Sequence, residues 1–338
     1  MVYTARYKET MSDSVREHNR FDLEIEVIDF DEATGRFKLH VRPSRGRYEW
    51  QERDGERLLY DRFDDVYFPQ ALVTDMLRRA LEMAPGPALG VIADIAEYAA
   101  GRRPAIAAAL RGEAANNDLV DFSEAQLREF KKDELAFVIL SIDIKGSTNL
   151  QTTADTGTFA ATINALLTEM SELVALFHGH VLKYTGDGLI AYFAPPTFIA
   201  KSDAAVDCAY CVRRLVYDAI NPELEAAGLP PIDVRLGLDG GEAAIVVLGS
   251  DKTKRHADLI GDVVSLAAKI ESRAGTGEIF LGETVHRNLH FSWRELCSPV
   301  ELPSDWTYSV AGDDPYPLFR LDTTGIRPVE RSHGSAGQ

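Results

Sequence analysis

The stretch HVLKYTGDGLIAYF, His180 to Phe193, joins two apolar runs through a Thr-Gly-Asp-Gly bend. Apolar runs on both sides of a short glycine-containing turn read as a β-hairpin. Lys183 stands four residues ahead of Asp187, one on a strand and the other at the tip. A local ion pair between them is one account of the two charges. An exposed pair of that kind contributes less than about 1 kcal/mol, which is a weak reason to place charges on either side of a core hairpin.

The preceding sequence supplies a second account. FVILSID, ending in Asp143, is a near-continuous apolar strand of the kind covered on both faces. It runs into Ile144, Lys145, Gly146, Ser147 and Thr148, and then into a helical pattern. A glycine and hydroxyls at a strand-to-helix turn expose N–H groups to an anion, and a carboxylate at the strand end suits Mg²⁺ or Mn²⁺. Alone, such a string is an ordinary Asx or N-cap turn. Asp187 changes the balance: two carboxylates converging in one sheet beside an anion-binding turn fit two-metal phosphoryl transfer. Lys145, inside the turn, is read as solvent-facing.

Working outward, residues 135–322 alternate strands with helices. Thr158 to Phe177 places Phe159, Ile163, Leu166, Leu167, Met170, Leu173, Val174 and Phe177 on one helical stripe. After the hairpin come a helix with Cys208 and Cys211, the strands VRLGLDGG and EAAIVVLG, a helix from Asp262 to Ser272, and the strand GEIFLG. The order implies an α/β sandwich, helices packed on a mixed sheet. Residues 1–115 form a separate α+β region in this reading. Its two hairpins, FDLEIEVIDF with RFKLHVRP and RYEW with RLLYDRF across Asp54-Gly55, precede Ala- and Leu-rich helices. FDDVYFP, between them, reads as a packing segment. Residues 116–134 read as a helical linker capped at Ser123, and 323–338 as a polar tail.

Composition narrows the partners. The 338 residues carry a formal net charge of −17, with 45% apolar and 26% charged residues. So acidic a chain disfavours general binding to nucleic acid or an anionic membrane, and an anionic substrate must find local positive charge. No signal-peptide pattern and no apolar run near the roughly 18 residues of a spanning helix is evident, so the expected location is the cytoplasm. The three cysteines make no disulfide framework, and the CxxC at Cys208 and Cys211 lies on helical spacing, where two buried residues explain it better than a metal or redox pair.

Four stretches, FVILSIDIKGST, HVLKYTGDGLIAYF, VRLGLDGGEAAIVVLGS and RHADLIGDVVSLAAKIESR, resemble in this order the class III nucleotidyl cyclase catalytic domain. The resemblance covers Ala136 to Leu321 and implies a ferredoxin-like βαββαβ core and a homodimer with shared active sites. It also implies two Mn²⁺ or Mg²⁺ ions per site, a nucleoside triphosphate substrate and a downstream effector of the cyclic nucleotide. By resemblance, Asp143, Asp187 and the Ile144 carbonyl hold metal; Lys183 and Asp258 read the base; Gly146, Ser147, Thr148 and Arg235 meet phosphate, with a structural strand-end role as the alternative for Arg235. The asparagine and arginine of the family's transition-state helix are replaced by Ser265 and Lys269. Lysine keeps the charge but loses the bidentate fork, and serine is shorter than asparagine, so altered activity is expected. Arg273, one turn on, reads as a solvated helix end more than as a substitute arginine. Lys183 with Asp258 is the adenylate-type pair, which puts ATP first. Cytosine presents the same edge as adenine, however, and the pyrimidine cyclases that make cCMP or cUMP in anti-phage defence belong to this superfamily. A degenerate cyclase that binds nucleotide and signals through conformation is the further alternative.

Overall fold

The computed structural model describes residues 21–31, 36–82, 92, 94–113, 125–128, 130, 134–194, 198–249, 255–309 and 314–324. Contacts divide them into two compact units. One holds the described residues up to 82 together with His290–Glu295; the other holds those from 92 to 289 and from 296 to 324.

In the smaller unit, β1 (Leu23–Asp31) pairs antiparallel with β2 (Arg36–Pro43). β3 (Tyr48–Arg53) and β4 (Glu56–Asp61) form the second hairpin across Asp54 and Gly55, both at positive φ. FDDVYFP adds β5 (Val66–Pro69) to that sheet and buries Phe68 against Tyr48, Leu59 and Val73. α1 (Gln70–Glu82) follows. Arg47 is fully buried and donates to three carboxylates: Asp61 at 2.9 Å, Asp22 at 3.2 Å and Asp64 at 2.6 Å. The short helix Phe291–Arg294 completes this unit, Arg294 donating to the other oxygen of Asp64 at 2.9 Å.

The larger unit opens with α2 (Ile95–Leu110), capped by Asp94, whose side chain accepts from the N–H groups of Ala96 and Glu97. The sequence reading grouped this segment with the N-terminal region. Here it packs instead on the helices of the larger unit, because Ala99 and Ile106 bury its small-residue face and Arg102 binds Glu169 with two bonds of 2.8 and 2.7 Å. Of the linker, residues 125–128 are helical, Phe130 packs on the core, and Glu134 opens the next strand; its other residues, Ser123 included, and the tail beyond 324 lie outside the described residues.

The core runs β6 (Glu134–Lys145), α3 (Ser147–Thr153), α4 (Thr156–Leu176), β7 (His180–Tyr184), β8 (Leu189–Phe193), α5 (Phe198–Leu215), α6 (Asn221–Ala226) and β9 (Asp233–Leu248). The four strands lie in the order β9-β6-β8-β7, so strands and helices together give the expected βαββαβ arrangement. The remaining strands are β10 (His256–Ile260), β11 (Ile279–Gly282), β12 (Cys297–Pro299) and β13 (Leu318–Leu321). β11 extends the sheet parallel to β9, followed by β13 and β12. Both faces of β6 are buried: Phe137 and Ile139 pack with Val263 and Ala267 of α7 (Asp262–Arg273), while Val138, Leu140 and Ile142 alternate to the other side. α4 is apolar and long enough to cross a membrane by length and composition. Its stripe is spent on the core, however, with Leu166, Met170, Leu173 and Val174 buried and Glu169 held by Arg102.

One strand reading changes. VRLGLDGG and EAAIVVLG are one sixteen-residue strand, because Gly240 and Gly241 stay in register opposite Val138 and Phe137. The end of that strand and β10 form an arm that folds back over the sheet. Among the described residues β10 pairs only with β9, three strands from β7, yet Asp258 on β10 touches Lys183 on β7. At about 4.8 Å per strand, a flat sheet could not bring them together.

Candidate active site

Asp143 lies near the end of β6, opposite Arg235 on β9. Its Oδ2 accepts from Arg235 Nε at 3.0 Å and stands 3.1 Å from Lys145 Nζ. Lys145 is therefore turned back onto Asp143 rather than facing solvent alone, since strand residues two apart share a face. Arg235 also contacts the Glu271 carboxylate and reaches the Ser272 carbonyl at 3.5 Å, so α7 holds it from behind. Burial pushes the Glu271 carboxyl up to about 7, against the pull of Arg235.

The hairpin tip arrives at the same place. Pairing of β6 with β8 stops at Ile142, while β6 itself continues to Lys145, so the Thr185–Gly188 bend stands beside Asp143 in place of a strand. A Cβ on Gly188 would collide with the Ile142 carbonyl and sit 3.3 Å from the Asp143 Cα, which is why the bend needs glycine there. The elements bearing Asp143 and Asp187 thus pack against one another. Past them, Gly146 caps α3 at a φ of 94° and makes no side-chain cap bond to the first turn, which begins at Ser147 and Thr148. The Ile144 side chain is buried, which leaves only its backbone available to a ligand.

Lys183 does not pair with Asp187. Its Nζ donates to both oxygens of Asp258, at 2.8 and 3.1 Å, and Asp258 also accepts from the Leu259 N–H at 2.8 Å. A bulge between Val181 and Lys183 shifts the register of β7 there. Ser265 and Lys269 are exposed one turn apart on α7. The helix is seated so closely on β9 that a Cβ on Gly237 would collide with the Glu271 backbone. Arg273 is engaged elsewhere, donating to Asp305 at 2.7 Å; that bond holds the Asp305 carboxyl below its usual range. Cys208 and Cys211 are buried in α5, and burial pushes the Cys211 thiol up to about 12, as two core residues require.

The donor set fits hard divalent ions. Among the described residues no three His, Cys, Asp or Glu side chains gather into a cage of their own. Two carboxylates with backbone oxygen, completed by phosphate oxygens of a substrate, are what Mg²⁺ and Mn²⁺ accept.

Glu271 escaped the sequence reading, although a carboxylate one turn past Ala267 on the apolar stripe of α7 was a visible anomaly. So did Asp239, buried in β9 and accepting from the Tyr316 hydroxyl at 2.7 Å, whose carboxyl burial pushes up to about 7.

Residues 131–312 match the adenylate and guanylate cyclase catalytic domain family. The chain belongs to this family. The matched span takes in every candidate site residue from Asp143 to Lys269. Among curated relatives, the cyclase domain is similar to a cytidylate cyclase of Staphylococcus aureus, 26% identical over 159 residues, covering 44% of this chain and 36% of the relative. A cytidylate cyclase of Escherichia coli is 24% identical over 160 residues, covering 45% and 35%. An adenylate cyclase of Anabaena cylindrica is 27% identical over 177 residues, covering 48% and 34%. The chain spans about a third of the length of these relatives.

Proposed function

We propose that this chain is a nucleotidyl cyclase converting a nucleoside triphosphate to a 3′,5′-cyclic nucleotide and pyrophosphate. The observation that carries the reading is the packing of the Asp187 bend against the Asp143 strand end, beside Arg235. Asp143, Asp187 and the Ile144 carbonyl would hold two Mn²⁺ or Mg²⁺ ions, which supply charge neutralisation at the triphosphate and a more acidic 3′-hydroxyl. Arg235, steadied by Glu271, faces the phosphates with the Gly146–Thr148 backbone. The 3′-hydroxyl loses its proton to water, and its oxygen forms a bond to the α-phosphorus as the bond to pyrophosphate breaks; Lys269 and Ser265 meet the charge and the ribose of the transition state.

Lys183 and Asp258 read the base, lysine donating to a ring nitrogen and aspartate accepting from the exocyclic amine. In a homodimer with shared sites these two residues serve the partner's metal aspartates; exposed Val247, Leu248 and Ile260 on the β9–β10 arm support such a contact. The sequence reading put ATP first. Two relatives named cytidylate cyclases, together with the edge that cytosine shares with adenine, move the proposal to CTP. The adenylate cyclase relative keeps ATP as the second reading.

Incubation of the purified chain with each of the four triphosphates and Mn²⁺, with products identified by mass spectrometry, tests both levels. Cyclic CMP as the main product is expected. Cyclic AMP instead would shift the base, and nucleotide binding with no cyclic product would favour the degenerate reading. Asp143→Ala or Asp187→Ala should lower turnover by at least about a hundredfold.

A further inference from the structure

The Asp143 carboxylate carries two cations of different character. Arg235 is anchored independently of Asp143, by Glu271 and the Ser272 carbonyl. Lys145 has a single ion-pair partner among the described residues, Asp143, and the pair is open to water, with side-chain exposures of 36% and 26%. Asp143 already carries two cations on one carboxylate oxygen, so a divalent ion arriving there makes one of them surplus. Lys145 is the one that can leave: a half-exposed pair contributes less than about 1 kcal/mol, and a flexible four-carbon stem lets the ammonium move without disturbing the backbone.

We propose that Lys145 is an exchangeable counter-ion: it occupies Asp143 in the resting chain and transfers to the triphosphate when metal and nucleotide bind. This rests on the reading of Asp143 as a metal-holding residue. Lys145 is the last residue of β6 and immediately precedes Gly146, so its swing from the carboxylate ends on the side where a triphosphate held by Arg235 lies. The residue then acts in opposite senses on two ligands. It competes with free metal and attracts the phosphates, so metal alone binds weakly and metal with nucleotide binds well. Because the ammonium is withdrawn only when an anion offers it a new partner, the site resists loading by metal without substrate.

The test compares the wild type with Lys145→Met, Lys145→Arg and Asp143→Ala. Free Mn²⁺ binding is followed by electron paramagnetic resonance without nucleotide, and binding of a non-cyclising 3′-deoxy-CTP or 3′-deoxy-ATP with Mn²⁺ by calorimetry. Lys145→Met should raise affinity for Mn²⁺ alone by about two- to fivefold and lower affinity for the Mn²⁺–nucleotide by about five- to twentyfold. Lys145→Arg should restore the second and hold the first near wild type. Unchanged or weaker Mn²⁺ binding in Lys145→Met, with Asp143→Ala abolishing it, would overturn the exchange while leaving the metal site standing. Mn²⁺ binding untouched by Asp143→Ala would overturn the metal reading itself, and the exchange with it.

Discussion

Two charge clusters stand in this chain, and their difference separates structure from chemistry. Arg47, in the smaller unit, is wholly out of water and spends its guanidinium on Asp22, Asp61 and Asp64. Arg235, in the larger unit, is partly exposed and touches an aspartate that it shares with a lysine. A buried cluster with every donor assigned has nowhere to accept a ligand, and removing one member leaves charge without compensation. A half-exposed cluster stabilises little, and for the same reason its members are free to change partners. The first fixes how strands meet; the second is poised to exchange protein charge for substrate charge.

Trans-complementation breaks the comparison most sharply. Lys183→Ala and Asp187→Ala chains, each inactive as homodimers by at least about a hundredfold, should recover on mixing about a quarter of wild-type turnover, since half of the dimers are mixed and each has one intact site. No recovery, with mixed dimers demonstrated by native mass spectrometry, would show that the two residues serve one and the same site. No such rescue is available to Arg47, whose partners lie in its own chain. Arg47→Met should cost about 3 to 5 kcal/mol of stability in denaturant melts, whereas Arg235→Met should cost below about 1 kcal/mol while abolishing turnover.

The smallest effect concerns a third carboxylate. Asp239, facing the Tyr316 hydroxyl and next to Thr284, which donates to the same hydroxyl, has its carboxyl pushed by burial from 3.8 to about 7. The folded chain therefore binds this proton more tightly than the unfolded chain does. Stability from this group is full below about pH 4 and is lost as pH rises through about 7, by about 1.4 kcal/mol for each pH unit in between. Asp239→Asn should flatten that limb of the pH–stability curve, read from urea midpoints at pH 5 and 8.

The fold of the core was legible because its signals are local. A near-continuously apolar strand, a glycine-bounded bend and a stripe of eight apolar residues each name one element, and their order names the topology. Asp143, Asp187, Lys183 and Asp258 were legible through ordered motifs, and the Lys183–Asp258 contact is present in the structure across 75 residues. What escaped depends on distance. Lys145 and Glu271 acquire meaning only through Asp143 and Arg235, and α2 reads as N-terminal until the bidentate contact of Arg102 with Glu169, 67 residues away, assigns it elsewhere. The break expected at Asp239-Gly240-Gly241 misled because glycine in a strand signals either a turn or close packing, and here α7 supplies the packing.

The helix Phe291–Arg294 belongs to the smaller unit although the chain on both sides of it belongs to the larger. Its Arg294 spans the Phe63 ring and the Asp64 carboxylate, and the Phe291 ring fills the space above Gly46. Dissection of this protein at a single peptide bond is therefore ruled out by its connectivity. A truncation that discards the first 88 residues would strip a buried arginine of its counter-charge and bare a phenylalanine, leaving a sticky scar on whatever catalytic fragment remained. A clean separation of the two units needs a second edit, one that replaces residues 290–295 with a short polar bridge.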